Sequence, residues 1–462
     1  MMATKSNYLM DMIAAQKKGA LKGIYSVCSA NRFVIEAGVK QAQQDRSVLL
    51  VESTSNQVDQ YGGYIGMTPK QFSQYVWNIA SGLGLHPERV ILGGDHLGPN
   101  VWQKESVASA MAKARVLVQE CVLAGYSKIH LDASMKCGDD DPEKPLSRNI
   151  IADRSAELCL AAEEAFLRQE VAFKTLPQAP GYNLRQEIAS TGSYLIGPVY
   201  VIGSEVPLPG GAHEKESQVT VTRVEDAEET LQVTKDAFVK RGLGQAWERV
   251  IALVVQPGVE FGDDFVLEYN PVQASGLSHF IESCDHLVFE AHSTDYQRRG
   301  ILRKMVEDHF AILKVGPGLT FAFREAILAL ALIEQEWLAG KSSVSLSNIM
   351  ETLEQVMIAD LSHWRKHYSG EKTELRCSRK YSYSDRMRYY WPTPAVQSAL
   401  KILLDNLERN PIPLMLLSQY LPVQYTRVRE GLIASSPNEL IHDKIASVMA
   451  DYSYACGLSG EK

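Results

Sequence analysis

The sequence of 462 residues has no long uninterrupted apolar run. Its longest apolar stretches are IALVV (251–255) and AILALALIE (326–334), far short of the roughly 20 residues that a helix needs to span a bilayer. The first 20 residues also lack the apolar core and small-residue cleavage site of a secretory signal peptide. The sequence therefore predicts a cytoplasmic protein that does not span a membrane.

Cysteine and basic charge are also scarce. The seven cysteines are scattered and form no CxxC pair, so neither a disulfide framework nor a zinc ribbon is expected. With 47 basic against 55 acidic side chains, the net charge is −8, and there is no basic block. We therefore expect no binding to nucleic acid or to an anionic membrane. A small anionic substrate is still compatible with this charge, because one pocket can be basic inside an acidic protein.

What the sequence does contain is a regular alternation of short apolar runs with longer amphipathic ones. Each short run is almost continuously apolar, which is typical of parallel strands buried on both faces. Eight strands are predicted, at 23–29, 47–54, 90–96, 128–134, 199–206, 250–257, 286–293 and 310–317. Eight strand–helix units indicate an α/β fold, the (β/α)8 TIM barrel. A doubly wound open sheet is the alternative, but no GxGxxG motif follows the first strand.

The barrel is predicted to occupy residues 1–340, and a helical C-terminal region packed on it residues 341–462. Helical periodicity occurs in the second region at 347–368, 393–410 and 439–457. The stretch 172–198 is rich in proline, glycine and serine and delays the fifth strand. We interpret it as a surface excursion.

Polar side chains follow the apolar part of seven of the eight predicted strands. Barrel enzymes carry their chemistry at these carboxyl ends. Loops are polar in general, so one such residue alone indicates little. Here, however, glycines and prolines flank the polar residues in GGDHLGPN (93–100), GSEVPLPGG (203–211) and VGPGL (315–319). Such segments let a backbone approach a ligand closely, so the strand ends are predicted to form the active site.

Asp95 and His96 form the sharpest of these signals. A carboxylate next to an imidazole suits a divalent cation, although a buried ion pair that closes the strand is the alternative. His292 and Glu290 have matching side-chain directions, because alternate residues of a strand share a face. The sequence has no HExxH, four-cysteine or EF-hand spacing, so the barrel must bring the ligands together. We predict a divalent metal (Zn, Mn or Ni) with these ligands: His96, His292, Glu205 and Glu290.

Asp95, Asp132, Glu205 and Lys314 are the predicted catalytic residues. Asp132 and Glu205 are acid–base candidates, which requires burial or a nearby like charge to raise their pKa values. Asp95 is expected to orient a metal histidine or the substrate. Lys314 is either a Schiff-base amine or a cation that stabilises an enolate or a phosphate.

Other strand-end residues are predicted to bind substrate. Glycines in GPGLTFAFREA (316–326), before the helix after strand eight, are placed for phosphate binding, with an ordinary turn as the alternative. The aromatic and basic stretch 379–394 is predicted to cover the barrel mouth, with a helix-packing seam as the alternative. The predicted substrate-binding residues are Ser29, Glu52, Gln57, Gln256, Ser293, Asp295, Gly316, Gly318 and Arg386.

Long motifs of this sequence resemble one known family. They are VESTSNQVDQYGGYIGMTP (51–69), ILGGDHLGPNVWQ (91–103), GSEVPLPGGAHE (203–214), FEAHSTDYQ (289–297) and KYSYSDRMRYYWP (380–392). The family is the non-catalytic, stabilising subunit of class II D-tagatose-1,6-bisphosphate aldolase, which includes members similar to ketohexose 4-epimerases. The resemblance runs nearly end to end and implies a (β/α)8 barrel and a role in galactitol or N-acetylgalactosamine breakdown.

The Asp95–His96 pair is also similar to an Asp-His pair of the catalytic class II aldolases, in which the Asp handles a proton and the His binds metal. His292 matches a second metal histidine of those enzymes. A third histidine is missing at the expected place, because strand six ends with Gln256. The resemblance thus implies a mixed site, completed by a carboxylate of strand four or strand five.

Two functions are open at this point. The first is metal-dependent chemistry at C4 of a ketohexose or its phosphate, either tagatose/fructose 4-epimerisation or aldol chemistry. The second is a non-catalytic subunit that stabilises and activates a class II aldolase partner chain. The expected partners are a ketohexose or ketohexose phosphate and, for the second function, the catalytic aldolase subunit. A homo-oligomer is compatible with both functions.

Overall fold

The structure, a computed structural model, describes residues 2–175, 197–205 and 219–459. Eight parallel strands form a closed barrel: β1 (Ile24–Val27), β2 (Leu49–Thr54), β3 (Val90–Leu97), β4 (Lys128–Leu131), β5 (Val199–Gly203), β6 (Val250–Val254), β9 (Val288–Ala291) and β10 (Ile312–Val315). They follow one another around the barrel in chain order, and β10 pairs with β1. A short antiparallel hairpin of β7 (Glu260–Phe261) and β8 (Val266–Leu267) follows β6. The predicted (β/α)8 barrel is confirmed.

The strands are buried on both faces, as their continuous apolar sequences predict. Inward-facing side chains such as Ile24 and Leu50 form one apolar cluster, and outward-facing side chains pack against the helices in another. Helix α1 (Met2–Lys17) joins the inner cluster through Leu9 and Ile13. Because this cluster consists largely of the first residues of the strands, α1 closes the amino end of the barrel. The carboxyl end is left for the site.

The other helices of the barrel surround the strands. They are α2 (Arg32–Asp45), α3 (Pro69–Gly82), α4 (Val107–Leu123), α5 (Arg148–Thr175), α6 (Val224–Lys240), α7 (Gly244–Trp247), α8 (Pro271–Glu282), α9 (Arg299–Glu307) and α10 (Pro317–Leu338). Capping side chains fix where they begin: Thr68 and Gln71 form a reciprocal capping box at α3. The predicted surface excursion at 172–198 lies mostly outside the described residues.

The C-terminal region is helical. Its helices are α11 (Ile349–Ala359), α12 (Lys372–Tyr381), α13 (Pro394–Arg409), α14 (Leu414–Tyr420), α15 (Pro422–Arg429) and α16 (Pro437–Ala455). The helix predicted at 347–368 is shorter than expected, because the side chain of Asp360 accepts a hydrogen bond from Ser362 N at 2.9 Å and forms a turn there. Of the helices in the described ranges, none has the length and apolar content needed to cross a membrane.

The C-terminal helices pack on the helices of the barrel. Helix α16 lies against α2, α9 and α10. The hydroxyl of Tyr452 on α16 donates to the carbonyl oxygen of Thr294 at 2.7 Å. A buried ion pair of 2.7 Å between Arg324 of α10 and Asp385 holds the loop 382–389 in place. This loop therefore reaches the carboxyl end of the barrel.

Candidate metal centre and substrate pocket

The carboxyl ends of β3, β4 and β9 bring together four side chains that could hold a metal ion. One ligand atom each from Asp95, His130, Glu290 and His292 lies within 4.8 Å of the others, and all four side chains are buried. Glu290 and His292 share the inward face because they are two residues apart. Carboxylate and imidazole donors of this kind suit Zn²⁺ or Mn²⁺. We call these four residues the ligand group.

Two glycines of the segment GGDHLGPN allow the strand ends to approach one another. A side chain at Gly93 would meet Cγ of Glu52 at 2.7 Å, and one at Gly98 would meet the carbonyl oxygen of Asp132 at 1.6 Å. These glycines were predicted to let the backbone approach a ligand. In the structure they let this segment approach β2 and the residue that follows β4.

His130 is the ligand-group imidazole that the sequence pattern did not single out. Its Nδ1 atom lies 2.9 Å from Oδ1 of Asp95. The backbone N–H of His96 also points at this Nδ1 atom, at 3.2 Å. In the tautomer that carries its proton on Nδ1, the ring donates a hydrogen bond to the Asp95 carboxylate, and Nε2 keeps a free lone pair. Nε2 is buried and has no hydrogen-bond partner among the residues that the structure describes. A bound metal ion would satisfy this otherwise costly atom.

His96 completes a set of three imidazoles. Its ring centroid lies 4.9 Å from that of His292 and 5.2 Å from that of His130. Its Nδ1 atom lies 2.8 Å from Oδ2 of Asp132, and its backbone has the left-handed φ of 49°. Such a conformation costs of order 1–3 kcal/mol and clusters at functional sites. The ligand group thus contains His130 of β4 where the resemblance implied a carboxylate of strand four or strand five. It does not contain His96, whose predicted metal binding stays a prediction.

Two lysines pair with the carboxylates beneath the ligand group. Nζ of Lys128 lies 2.8 Å from Oε1 of Glu52 and 2.6 Å from Oε2 of Glu290, as ion-pair contacts without hydrogen-bond alignment. Lys314 pairs with Glu52 and lies 3.1 Å from Oδ1 of Asp95. The side chain of Glu52 has no solvent exposure. The predicted role of Glu52 in substrate binding is therefore not supported, because its carboxylate is buried and pairs with both lysines.

The buried charges of this region do not balance by themselves. The carboxylates belong to Glu52, Asp95, Asp132 and Glu290, and the ammonium groups to Lys128 and Lys314. Burial alone would lower the pKa of His96, but the charges of Asp95 and Asp132 raise it, so this ring offsets part of the negative charge. The carboxylates still outnumber the cationic side chains, which is unfavourable in a protein interior. A divalent cation at the ligand group would offset the remaining excess.

The pKa values of two predicted catalytic residues are shifted in the direction opposite to the one that their expected roles require. Burial would lower the pKa of Lys314, but neighbouring carboxylates, above all Asp95, raise it, so the side chain stays an ammonium ion. Burial would raise the pKa of Asp132, but its hydrogen bond to His96 and the charge of that ring hold it below the usual value. These directions favour Lys314 as a cation over a Schiff-base amine, and they favour Asp132 as the residue that orients His96.

The predictions for the ends of strands five and six are corrected as well. The side chain of Glu205 is 39% exposed, pairs with Arg148 at 3.4 Å and accepts a hydrogen bond from Thr222 at 2.7 Å. It is not part of the ligand group found in the described residues, so neither its metal-binding nor its acid–base role is supported. Gln256 accepts hydrogen bonds from two backbone N–H groups of its own loop, at 2.8 and 3.1 Å. It shapes that loop instead of facing the substrate.

A cavity lies at the carboxyl end of the strands, and a second chamber adjoins it. The first cavity brings together these predicted site residues: Gln57, Asp95, His96, His292, Ser293, Asp295, Lys314 and Gly316. Ser29 lines the second chamber. Six residues line both spaces: Cys28, Gln57, Tyr64, Gly316, Pro317 and Arg388. The two spaces are therefore parts of one substrate pocket.

Asp295 occupies the place predicted for a phosphate. Its Oδ1 atom accepts hydrogen bonds from the backbone N–H groups of Gly316 at 3.0 Å and Gly318 at 2.7 Å, where α10 begins. Burial raises the pKa of Asp295 to about 6, although these two hydrogen bonds act in the opposite direction. The predicted phosphate binding by Gly316 and Gly318 is corrected, because their N–H groups already serve a carboxylate of the protein.

Arg388, and not Arg386, faces the pocket. Arg386 is buried behind it and donates to the carbonyl oxygen of His363 at 3.1 Å. Arg388 lines both chambers together with Tyr64, and Tyr389 lines the first. Residues of the stretch 379–394 thus reach the barrel mouth, but the arginine that faces the pocket is Arg388 and not the predicted Arg386.

Comparisons with known proteins agree with this architecture. The sequence profile of the family "D-tagatose-1,6-bisphosphate aldolase subunit GatZ/KbaZ-like" matches residues 9–457. The chain is similar to the crystal structure of a probable tagatose 6 phosphate kinase from Sinorhizobium meliloti, with 40% identity and a TM-score of 0.81, covering 94% of this chain and 100% of that one. A fructose-bisphosphate aldolase from Campylobacter jejuni is a more distant match, with 13% identity, a TM-score of 0.46, and coverage of 88% and 92%. The chain belongs to the GatZ/KbaZ-like family of D-tagatose-1,6-bisphosphate aldolase subunits.

Proposed function

We propose that the chain carries out metal-dependent chemistry at C4 of a ketohexose or ketohexose phosphate, either tagatose/fructose 4-epimerisation or aldol chemistry. The observation that carries this proposal is the convergence of Asp95, His130, Glu290 and His292 beside a cavity, in a region where buried carboxylates outnumber the cationic side chains. The family description, which names tagatose-1,6-bisphosphate, supports the class of substrate.

A divalent cation held by the ligand group would polarise the oxygens of a bound ketose. The chain's own residues supply the rest. Lys314 lines the cavity as an ammonium ion and can stabilise negative charge on a substrate oxygen. Asp295 keeps Oδ2 for a sugar hydroxyl while Oδ1 binds the backbone, and its pKa of about 6 suits proton transfer near neutral pH. Asp295 therefore replaces Asp132 and Glu205 as the acid–base candidate.

The second candidate function is the stabilisation of a class II aldolase partner chain. The word "subunit" in the family description favours it. In that case the pocket would bind a sugar phosphate without turning it over. A homo-oligomer and a cytoplasmic location stay predictions.

The experiment that tests the proposal uses the purified full chain, treated with chelator and reloaded with Mn²⁺, Ni²⁺ or Zn²⁺, without a partner chain. Tagatose, tagatose 6-phosphate and tagatose 1,6-bisphosphate are supplied, and fructose, its phosphates and triose phosphates are measured. We expect metal-dependent turnover that His130→Ala abolishes. The exposed His279, outside the ligand group, provides the matched control His279→Ala. Absence of turnover with every metal, together with a longer lifetime of an added class II aldolase, would establish the stabilising function instead.

A further inference from the structure

Arg388 is a partly buried arginine that faces the substrate pocket without an acidic partner. No carboxylate of the described residues lies within ion-pair distance of its guanidinium group. Four other arginines of low exposure are paired with a carboxylate: Arg154 with Asp140, Arg249 with Glu163, Arg324 with Asp385, and Arg379 with Glu354. The carboxylates of Asp295 and Asp385 act on Arg388 at longer range, and they are already bound by backbone N–H groups and by Arg324. Removing a guanidinium from water without a direct counter-charge is unfavourable, so the position of Arg388 points to an anion supplied from outside the chain.

The hydrogen bonds of Arg388 leave one edge of its guanidinium free. Nη1 donates to the carbonyl oxygens of Ser384 and Asp385, the latter at 3.0 Å, and Nη2 donates to the hydroxyl of Tyr389 at 3.0 Å. A guanidinium group has five N–H donors, of which Nε–H and a second Nη2–H have no partner in the described residues. These two donors form the fork that binds a phosphate or carboxylate in a bidentate manner. The bonds to the loop hold this fork in position.

Arg388 also stands at the junction of the two chambers. It lines both of them with Gln57 and Tyr64. Arg386 lies two residues away without a carboxylate partner, and after burial the charge of Arg388 is the main influence that lowers its pKa. Two guanidinium groups thus give this wall of the pocket a positive potential.

The other place where a barrel could hold a phosphate is closed. At the beginning of α10, the N–H groups of Gly316 and Gly318 are bound by Asp295. A phosphate there would displace this carboxylate or meet its charge. Of these two places, Arg388 is the one with donors left for an anion.

We propose, on the basis of the function proposed above, that Arg388 binds the phosphate monoester of a ketohexose phosphate at the junction of the two chambers. The reacting carbons of the sugar then lie in the first cavity beside the ligand group, and the phosphorylated end points toward the second chamber. Arg388 is thus a specificity-determining residue that favours a phosphorylated ketohexose over the free sugar.

The test compares Arg388→Gln and Arg388→Lys with the wild type in the metal-loaded full chain. Binding of tagatose 6-phosphate, tagatose and inorganic phosphate is measured by calorimetry. We expect Arg388→Gln to weaken tagatose 6-phosphate and phosphate by about 10–100-fold, the usual value of charge-assisted hydrogen bonds, and tagatose by less than about 3-fold. Arg388→Lys keeps the positive charge but not the pair of parallel donors. Its affinities for tagatose 6-phosphate and phosphate should therefore lie between those of the wild type and of Arg388→Gln. The control Arg429→Gln changes an exposed arginine that also donates to a tyrosine hydroxyl, Tyr425, and should bind like the wild type.

Two results would overturn the assignment. One is wild-type affinity for tagatose 6-phosphate in both Arg388 variants, and the other is equal weakening of the free and the phosphorylated sugar. Phosphate binding requires no turnover, so the anion site and the proposed function are tested separately. Retention of phosphate binding in His292→Ala, which removes a ligand-group imidazole, would further show that the phosphate does not bind at the metal.

Discussion

Oδ1 of Asp95 lies 2.9 Å from Nδ1 of His130 and 3.1 Å from Nζ of Lys314. One carboxylate oxygen thus links an imidazole of the ligand group to an ammonium ion in the wall of the cavity. With its proton on Nδ1, His130 donates to this carboxylate and presents Nε2 to a metal. The position of the Lys314 charge and the hydrogen bonding of the His130 ring therefore depend on the same residue.

Removal of His130 is expected to abolish tight metal binding. Loss of an outer partner of a metal-bound histidine costs 10–100-fold in affinity, so loss of the donor atom itself should cost about 100-fold or more. The measurement is the metal content of His130→Ala after dialysis, together with a calorimetric titration with Zn²⁺ or Mn²⁺. His279→Ala is the matched control. Wild-type metal content in His130→Ala would show that this ring is not a ligand.

Asp132 and Glu205 should respond differently to replacement by their amides. Asp132→Asn removes the carboxylate that orients His96 at 2.8 Å. On the prediction that His96 is also a metal ligand, we expect about 10–100-fold weaker metal binding in a folded protein. Glu205→Gln changes a side chain that pairs with Arg148 near the surface, and metal affinity should stay within about 2-fold of the wild type, since exposed ion pairs contribute little. The reverse order of effects would restore Glu205 as a ligand.

Lys128→Met is expected to destabilise the barrel by about 3–5 kcal/mol in the metal-free protein. The substitution leaves Glu52 and Glu290 buried with one counter-charge fewer. Denaturant unfolding monitored by circular dichroism measures the change. Lys401→Met removes an exposed ion pair with Asp405 and should cost less than about 1 kcal/mol.

A double variant checks the cause of that loss. If the unpaired carboxylate is responsible, Lys128→Met with Glu52→Gln should recover part of the free energy of unfolding. A double variant less stable than Lys128→Met alone would assign the loss to packing instead.

Asp295 should make the protein less stable as the pH rises. Its pKa is raised from 3.8 to about 6 in the folded chain, so the folded state holds a proton there that the unfolded state has released. The resulting stability is fully present below about pH 4 and is lost as the pH passes about 6, a change of about 3 kcal/mol. Asp295→Asn cannot titrate. The difference in free energy of unfolding between wild type and Asp295→Asn, measured in chelator from pH 4 to 7, should therefore fall by about that amount, and a constant difference would contradict the shifted pKa.

The barrel could be predicted from the sequence because each of its eight strands appears there as a separate apolar run. Each run, such as IALVV at 251–255, is buried on both faces and therefore apolar at every position. Alternation within a strand also indicated correctly that Glu290 and His292 face the same side. The same rule applied to β4 would have paired His130 with Lys128, since both are polar residues in a short apolar strand.

What could not be predicted depends on contacts between distant segments. Glu52 follows an apolar run like a substrate-binding residue, and only the closed barrel shows that Lys128 and Lys314 surround it. Gly316 and Gly318 have the spacing of a phosphate site, but a carboxylate 21 residues earlier in the chain occupies their N–H groups. Local sequence identifies the type of donor, whereas the fold decides which acceptor reaches it.

The position of α1 has a consequence for how the chain is made. Leu9, Met12 and Ile13 lie against the first residues of the strands, and β1 pairs with β10. Synthesis delivers roughly 5–20 residues per second, so α1 and β1 wait on the order of tens of seconds for their partners to leave the ribosome. During that time their apolar side chains have no interior to enter. The nascent chain therefore exposes the apolar side chains of α1 and β1 until late in translation. We expect the yield of folded protein in the cell to depend on chaperones that shield them.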